Sequence, residues 1–108
     1  MIIEFDIDEV MRHLVNNGVQ CEPRHRSYPY HPELDYDYIL CNKDGLEFET
    51  TLKDGDLPVL QFVCILNGQR YGLNRMFSPI ELNEERFLGY IIQYSVDYFI
   101  KEVYKQTK

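Results

Sequence analysis

Carboxylates at alternate positions are the residues of this chain whose spacing most directly suggests chemistry. Glu33, Asp35 and Asp37 recur at every second residue, as do Glu47 and Glu49, while Asp44, Asp54 and Asp56 occupy turn-like stretches. On an extended strand such positions project from one face about 6.6 Å apart, close to two nucleotide steps of about 3.4 Å along one DNA strand. A carboxylate row of this kind can imitate a phosphate row. The charge distribution agrees: the chain carries −7, divided as −3 over residues 1–19, +1 over 20–30, −6 over 31–60 and +1 over 61–108. The excess is therefore concentrated on one hairpin and its approach. Direct binding of nucleic acid is not expected, since phosphate contacts depend on Lys and Arg displacing counterions. A basic protein partner is the class that fits, although any solvated sheet face also gathers charge.

Tyrosine is the second pattern. Tyr28 and Tyr30 follow the one basic cluster, Arg24, His25 and Arg26, and precede His31. Tyr90, Tyr94 and Tyr98 recur at i, i+4 and i+8, which stacks them along one side of a helix. Tyrosine is enriched at binding hot spots because its ring is apolar and its hydroxyl is not. The expected partner-binding residues are therefore Glu33, Asp35, Asp37, Glu47 and Glu49 with Tyr28, Tyr30, Tyr90, Tyr94 and Tyr98. Two functions follow from them. In the first, the chain is a non-catalytic module that binds a basic protein, including an inhibitor that fills the nucleic-acid groove of a nuclease or DNA-binding protein. In the second it is a self-associating homodimer, joined through the tyrosine ladder or through an outer sheet face bearing Ile39, Val63 and Ile65.

Cys21, His25, His31 and Cys41 contain the atoms zinc would need, but their spacing matches no finger or ribbon. Cys21 and His25 lack a third orienting group for nucleophilic catalysis. No catalytic, metal or cofactor residue is expected. Three cysteines, Cys21, Cys41 and Cys64, form an odd, widely spaced set, which argues against a disulfide framework and for a reducing, cytoplasmic setting. The first ten residues carry Glu4, Asp6, Asp8 and Glu9 and no basic region, unlike a secretory signal. No apolar run approaches the roughly 20 residues of a membrane helix.

The elements that position these residues are read from periodicity and turn chemistry. Ile7, Val10, Met11, Leu14 and Val15 share one helical face over residues 7–17, with Asp6 as cap, Glu9 completing a capping box, Phe5 and Val10 as a hydrophobic staple and Gly18 as the stop. Residues 19–34 lose all periodicity and contain Pro23, Pro29 and Pro32, so a long loop is expected there. Lys43, Asp44 and Gly45 form a three-residue hairpin loop in this reading. Asn42 then faces Leu46, Leu40 faces Phe48, Tyr38 faces Thr50 and Tyr36 faces Leu52. One face gathers Tyr36, Tyr38, Leu40, Leu46, Phe48 and Leu52, and the other Asp37, Ile39, Cys41, Glu47, Glu49 and Thr51.

A turn at 53–58 leads into the apolar strand 59–66. Asn67 and Gly68 then make a two-residue type I′ turn that directs Phe62, Cys64 and Leu66 inward and Val63 and Ile65 outward. Residues 78–106 read as a long helix opened by Ser78, Pro79 and Glu81, with Asn83 as an alternative cap. Its apolar residues cover more of the circumference than one sheet face needs.

The resulting expectation is one α+β domain over residues 1–108: a short N-terminal helix, a four-stranded antiparallel meander and a long C-terminal helix packed on one sheet face. Chains of this size bury roughly two-thirds of their unfolded surface, enough for one core. Double-stranded-RNA-binding domains share the element order. Their phosphate contacts call for lysines where this chain has Glu81, Glu84 and Glu85, so no family is assigned.

Overall fold

The computed structural model describes residues 6–53 and 56–107. Its elements run α1 (Ile7–Asn16), β1 (Gln20–Arg26), a 3-10 turn (Pro32–Leu34), β2 (Tyr36–Lys43), β3 (Leu46–Lys53), β4 (Val59–Leu66), β5 (Gln69–Met76), α2 (Pro79–Leu82) and α3 (Glu85–Gln106). The five strands form one antiparallel sheet in sequence order. The short α1 and the long α3 pack on the same face of it, an α+β arrangement.

Local signals account for the helices. The Asp6 carboxylate accepts the Glu9 N–H at 3.0 Å, and Gly18 adopts φ +82° just past the end of α1, which a residue without Cβ does at no steric cost. The expected staple involves Phe5, which lies outside the described residues. Ser78 and Glu81 close a complete capping box on α2. The chain then turns at Asn83, the C-terminal cap of α2, and α3 starts after Glu84 with no side-chain cap. The expected long helix is thus two helices, and Asn83 ends the first instead of starting the second.

Two strand assignments differ from the sequence reading. Residues 20–26, expected as loop, form a fifth strand that pairs with β2 from Gln20 opposite Asn42 to Arg26 opposite Tyr36. Pro23 lacks a donor and breaks the pattern, but an edge strand tolerates it because one side of its ladder is unpaired. The β2–β3 turn is shorter by one residue than expected. Lys43 pairs with Leu46, and both Asp44 (φ +55°) and Gly45 (φ +81°) are left-handed, the two-residue geometry whose twist matches that of the strands. A slip of one residue flips every side chain of a strand. Ile39 and Cys41 therefore point into the core, where both are buried, and Tyr36, Tyr38 and Leu40 take the opposite face.

The second hairpin forms as expected, with Asn67 and Gly68 left-handed and Cys64 opposite Tyr71. Phe62 and Cys64 are buried, whereas Ile65 on the other face is 72% exposed, so β4, paired on both sides, is buried on one face only. Under the helices the core centres on Phe48, Phe62 and Phe99, whose ring centroids lie 5.7–6.0 Å apart. Leu60, Leu88, Ile92, Val96 and Val103 complete the same layer, and Val10 and Leu14 of α1 close it from the side. Thr50 is fully buried within it, its hydroxyl 3.4 Å from Cys41 Sγ.

Truncating an inward and an outward residue of β4 separates the two faces. Phe62→Ala should lower the unfolding free energy by about 3–5 kcal/mol, as large-to-small core changes do. Ile65→Ala should stay within about 0.5 kcal/mol. Urea denaturation of both variants measures the difference, and similar losses would mean the assigned faces are wrong.

Candidate functional site

The connection from β1 to β2 builds an ordered acidic end. Its 3-10 turn is fixed by Leu34 N–H to His31 O and Asp35 N–H to Pro32 O, and the Asp35 carboxylate accepts the Tyr28 N–H at 2.6 Å. His25 stands across the ladder from Asp37 and donates Nδ1–H to it at 2.7 Å, while its Nε2 lies 3.6 Å from Asp35. His31 Nδ1 meets Glu33 at 3.2 Å. At the tip of this cluster Tyr30 is 91% exposed. Tyr28, Tyr30, Glu33, Asp35 and Asp37 are thus gathered at one end of the sheet. Its three carboxylates have histidines as ion-pair partners. The hydrogen bond to Asp37, with help from Asp35, raises the pKa of His25 above its ordinary value.

Glu47 and Glu49 do not join this cluster. The two-residue turn keeps them on the uncovered sheet face and turns Asp37 to the other, so the single carboxylate row expected from the sequence is divided between faces. Glu49 is also neutralised: Arg26 Nη2 binds it at 2.9 Å. The same guanidinium lies 4.8 Å from the Tyr38 ring centroid and donates Nη1–H to the Tyr36 hydroxyl at 2.9 Å. Beside it is a shallow concavity of about 490 Å³, lined by Glu49, Thr51, Gln61, Val63 and Arg70 among others. Arg26, which sequence reasoning assigned to a loop, is thereby the organiser of the open face. Its alternation with Arg24 was the available signal.

The tyrosine ladder forms on α3 as the spacing predicts. Tyr90, Tyr94 and Tyr98 have centroid separations of 6.5 and 6.3 Å with nearly parallel rings, and all three are exposed. Toward the helix start the ladder continues into a groove of about 560 Å³ lined by Ile80, Phe87, Tyr90, Ile91 and Tyr94, with the Arg75–Glu81 ion pair at its border. Ile80 and Phe87 were not singled out in the sequence. Both are exposed, on the side of α2 and α3 that faces away from the core, which a local pattern does not reveal.

The sulfur and histidine set does not converge as a zinc site would. Cys21 and Cys41 are cross-strand partners, with Cys41 held far above the usual thiol range by its contact with Cys21 and by burial. His25 and His31 are each engaged by carboxylates. Among the described residues one group alone brings a single ligand-type atom from each of three side chains within 4.8 Å of one another: Glu9, His13 and Glu85. No helix among the described residues is long and apolar enough to cross a membrane.

Comparison with known proteins leaves the geometry to speak for itself: no family model, no curated protein and no solved structure matches this chain.

The raised pKa of His25 has a definite sign. Protonated His25 is favoured in the folded state, so its contribution is full below the unfolded value near 6.5 and is lost as pH rises through the higher folded value. NMR titration should therefore place the His25 midpoint above 6.5 in the wild type, and Asp37→Asn should move it down. A midpoint that ignores the substitution would remove Asp37 as the cause.

Proposed function

We propose that this chain is a small non-catalytic protein-binding module that engages a basic protein surface through its acidic, tyrosine-tipped end. The observation that carries this reading is that Glu33, Asp35 and Asp37 are held at one end of the sheet, in and beside the connection that also carries an almost fully exposed Tyr30. An exposed aromatic in the same connection as several carboxylates suits a partner that combines cationic side chains with an apolar recess. The aromatic contributes contact area, and the charges contribute encounter rate and orientation. Hydrogen bonds from Tyr28 N–H and His25 hold Asp35 and Asp37 in place, which lowers the ordering cost of binding. A nuclease or DNA-binding protein offers such a surface in its nucleic-acid groove, and a module seated there acts as an inhibitor. Three cysteines that remain thiols fit a reducing, cytoplasmic compartment.

A second reading is homodimerisation, favoured by a separate observation. The tyrosine ladder and the Ile80–Phe87 groove form a contiguous exposed apolar strip, and strips of this kind mark interaction surfaces. The strip runs beside β5, whose outer ladder is unpaired in the sheet.

Affinity purification from native cells tests the first reading. The wild-type chain should recover a basic protein that raised salt releases, and the Glu33→Lys/Asp37→Lys variant should not. Tyr30→Ala should weaken the complex by about 2 kcal/mol, as loss of a hot-spot ring does. Equal recovery by the charge-reversed chain would refute the acidic end as the contact. For the second reading, sedimentation over a concentration series should show a monomer–dimer equilibrium that Tyr94→Glu shifts to monomer, and a monomer at every concentration rules it out.

A further inference from the structure

The seam between α1 and the start of α3 holds an arrangement that the protein-binding reading does not use. Glu9 and His13 lie one turn apart on α1, and Glu85 is the first residue of α3. One ligand-type atom from each falls within 4.8 Å of the others. Both carboxylates converge on a single cationic nitrogen, Arg12 Nη2, which contacts Glu9 Oε2 at 2.5 Å and also binds Glu85 Oε1. The third member is different. His13 is only 8% exposed, and its Nε2 is buried with no hydrogen-bond partner. A buried polar nitrogen without a partner costs stability, so its persistence calls for a ligand or a compensating role.

The backbone of α3 makes room for this ring. Gly89 lies one turn beyond Glu85, and a Cβ placed on it would meet His13 Nδ1 at 3.1 Å and Cε1 at 3.3 Å. Glycine inside a helix costs about 1 kcal/mol relative to alanine. Here it allows the imidazole to lie against α3 beside the two carboxylates.

We propose that Glu9, His13 and Glu85 form a binding site for a divalent transition-metal ion of the zinc class, which replaces the Arg12 guanidinium between the two helices. The donor chemistry fits: two carboxylate oxygens and one imidazole nitrogen make a three-ligand set that leaves a further position for water. The displaced Arg12 side chain is nearly half exposed and can extend into solvent. Arg12 thus acts as a tethered competitor, a cation that occupies the carboxylates until a metal ion with affinity for the imidazole as well arrives. Because the ligands come from both ends of the sequence, the bound ion ties α1 to α3.

Titration of the untagged full chain with Co²⁺ provides the test, since its visible absorption reports ligand number. The expected result is saturable binding of one ion per chain. Glu85→Gln, an exposed substitution, should abolish it, and His13→Gln should do the same. Arg12→Gln should shift the titration to lower metal concentration by removing the competitor. Zn²⁺ should raise the Tm of the wild type and leave that of Glu85→Gln unchanged. Absence of saturable binding, full affinity in Glu85→Gln, or equal affinity in Arg12→Gln and wild type would each overturn the proposal, leaving Arg12 as the permanent counter-ion of the seam.

Discussion

The fold depends on closing one apolar sheet face under α3. Phe48, Phe62 and Phe99 touch at the middle of that contact, two from adjacent strands and one from the helix. Each buried phenylalanine contributes roughly 1.5–3 kcal/mol relative to exposure. Such a contact requires that adjacent strands present the same parity of residues, so the turn between β2 and β3 determines what the helix meets. Two contacts from α3 hold that turn. The Tyr104 hydroxyl donates to the Asp44 carbonyl oxygen at 2.7 Å, and Lys43 Nζ reaches Asp97 at 2.9 Å. The same helix thus covers the sheet and anchors the hairpin whose register feeds it.

Parity in the core dictates parity on the surface. Once Ile39 and Cys41 are inward, Tyr36, Tyr38 and Leu40 must lie on the uncovered face, where apolar area faces water. Arg26 offsets part of that exposure, because its guanidinium lies near both tyrosine rings and pairs with Glu49. The exchange also removes negative charge from the open face. Arg24 and Arg26 pair there with Glu22 and Glu49, whereas among the described residues the ion-pair partners of Glu33, Asp35 and Asp37 are histidines. Of the acidic residues between 31 and 60, Glu33, Asp35 and Asp37 thus share one end of the folded sheet, while Asp44, Glu47 and Glu49 lie apart from it.

What was legible in the sequence was what local chemistry dictates. The cap of α1, the Asn67–Gly68 turn, the Ser78 capping box and the ladder spacing on α3 each depend on neighbours within four residues, and each forms. The β2–β3 register was ambiguous because β2 is apolar at both parities: Tyr36, Tyr38 and Leu40 on one, Ile39 and Cys41 on the other. Burial of the smaller, fully apolar set settles it, and that burial comes from tertiary packing under the helices, which a local pattern does not contain. β1 was invisible for a related reason. Pro23 and the charged run around it have no strand pattern of their own, and the strand exists because β2 offers an unpaired ladder. The seam of Glu9, His13 and Glu85 was hidden by the sequence separation of its halves.

The width of the apolar surface on α3 now has a partial explanation. The sheet takes Leu88, Ile92, Val96, Phe99 and Val103, all of them buried. α1 covers an adjoining side near Gly89, where His13 lies against the backbone. Neither reaches the side that carries Phe87, Tyr90, Tyr94 and Tyr98. A helix that needed only to close this core would carry charged and polar residues there, as α1 does with Asp8, Arg12 and Asn16. Tyrosine instead keeps an apolar ring at the surface with a hydroxyl that water satisfies, so that side of α3 stays exposed without leaving a polar group unpaired.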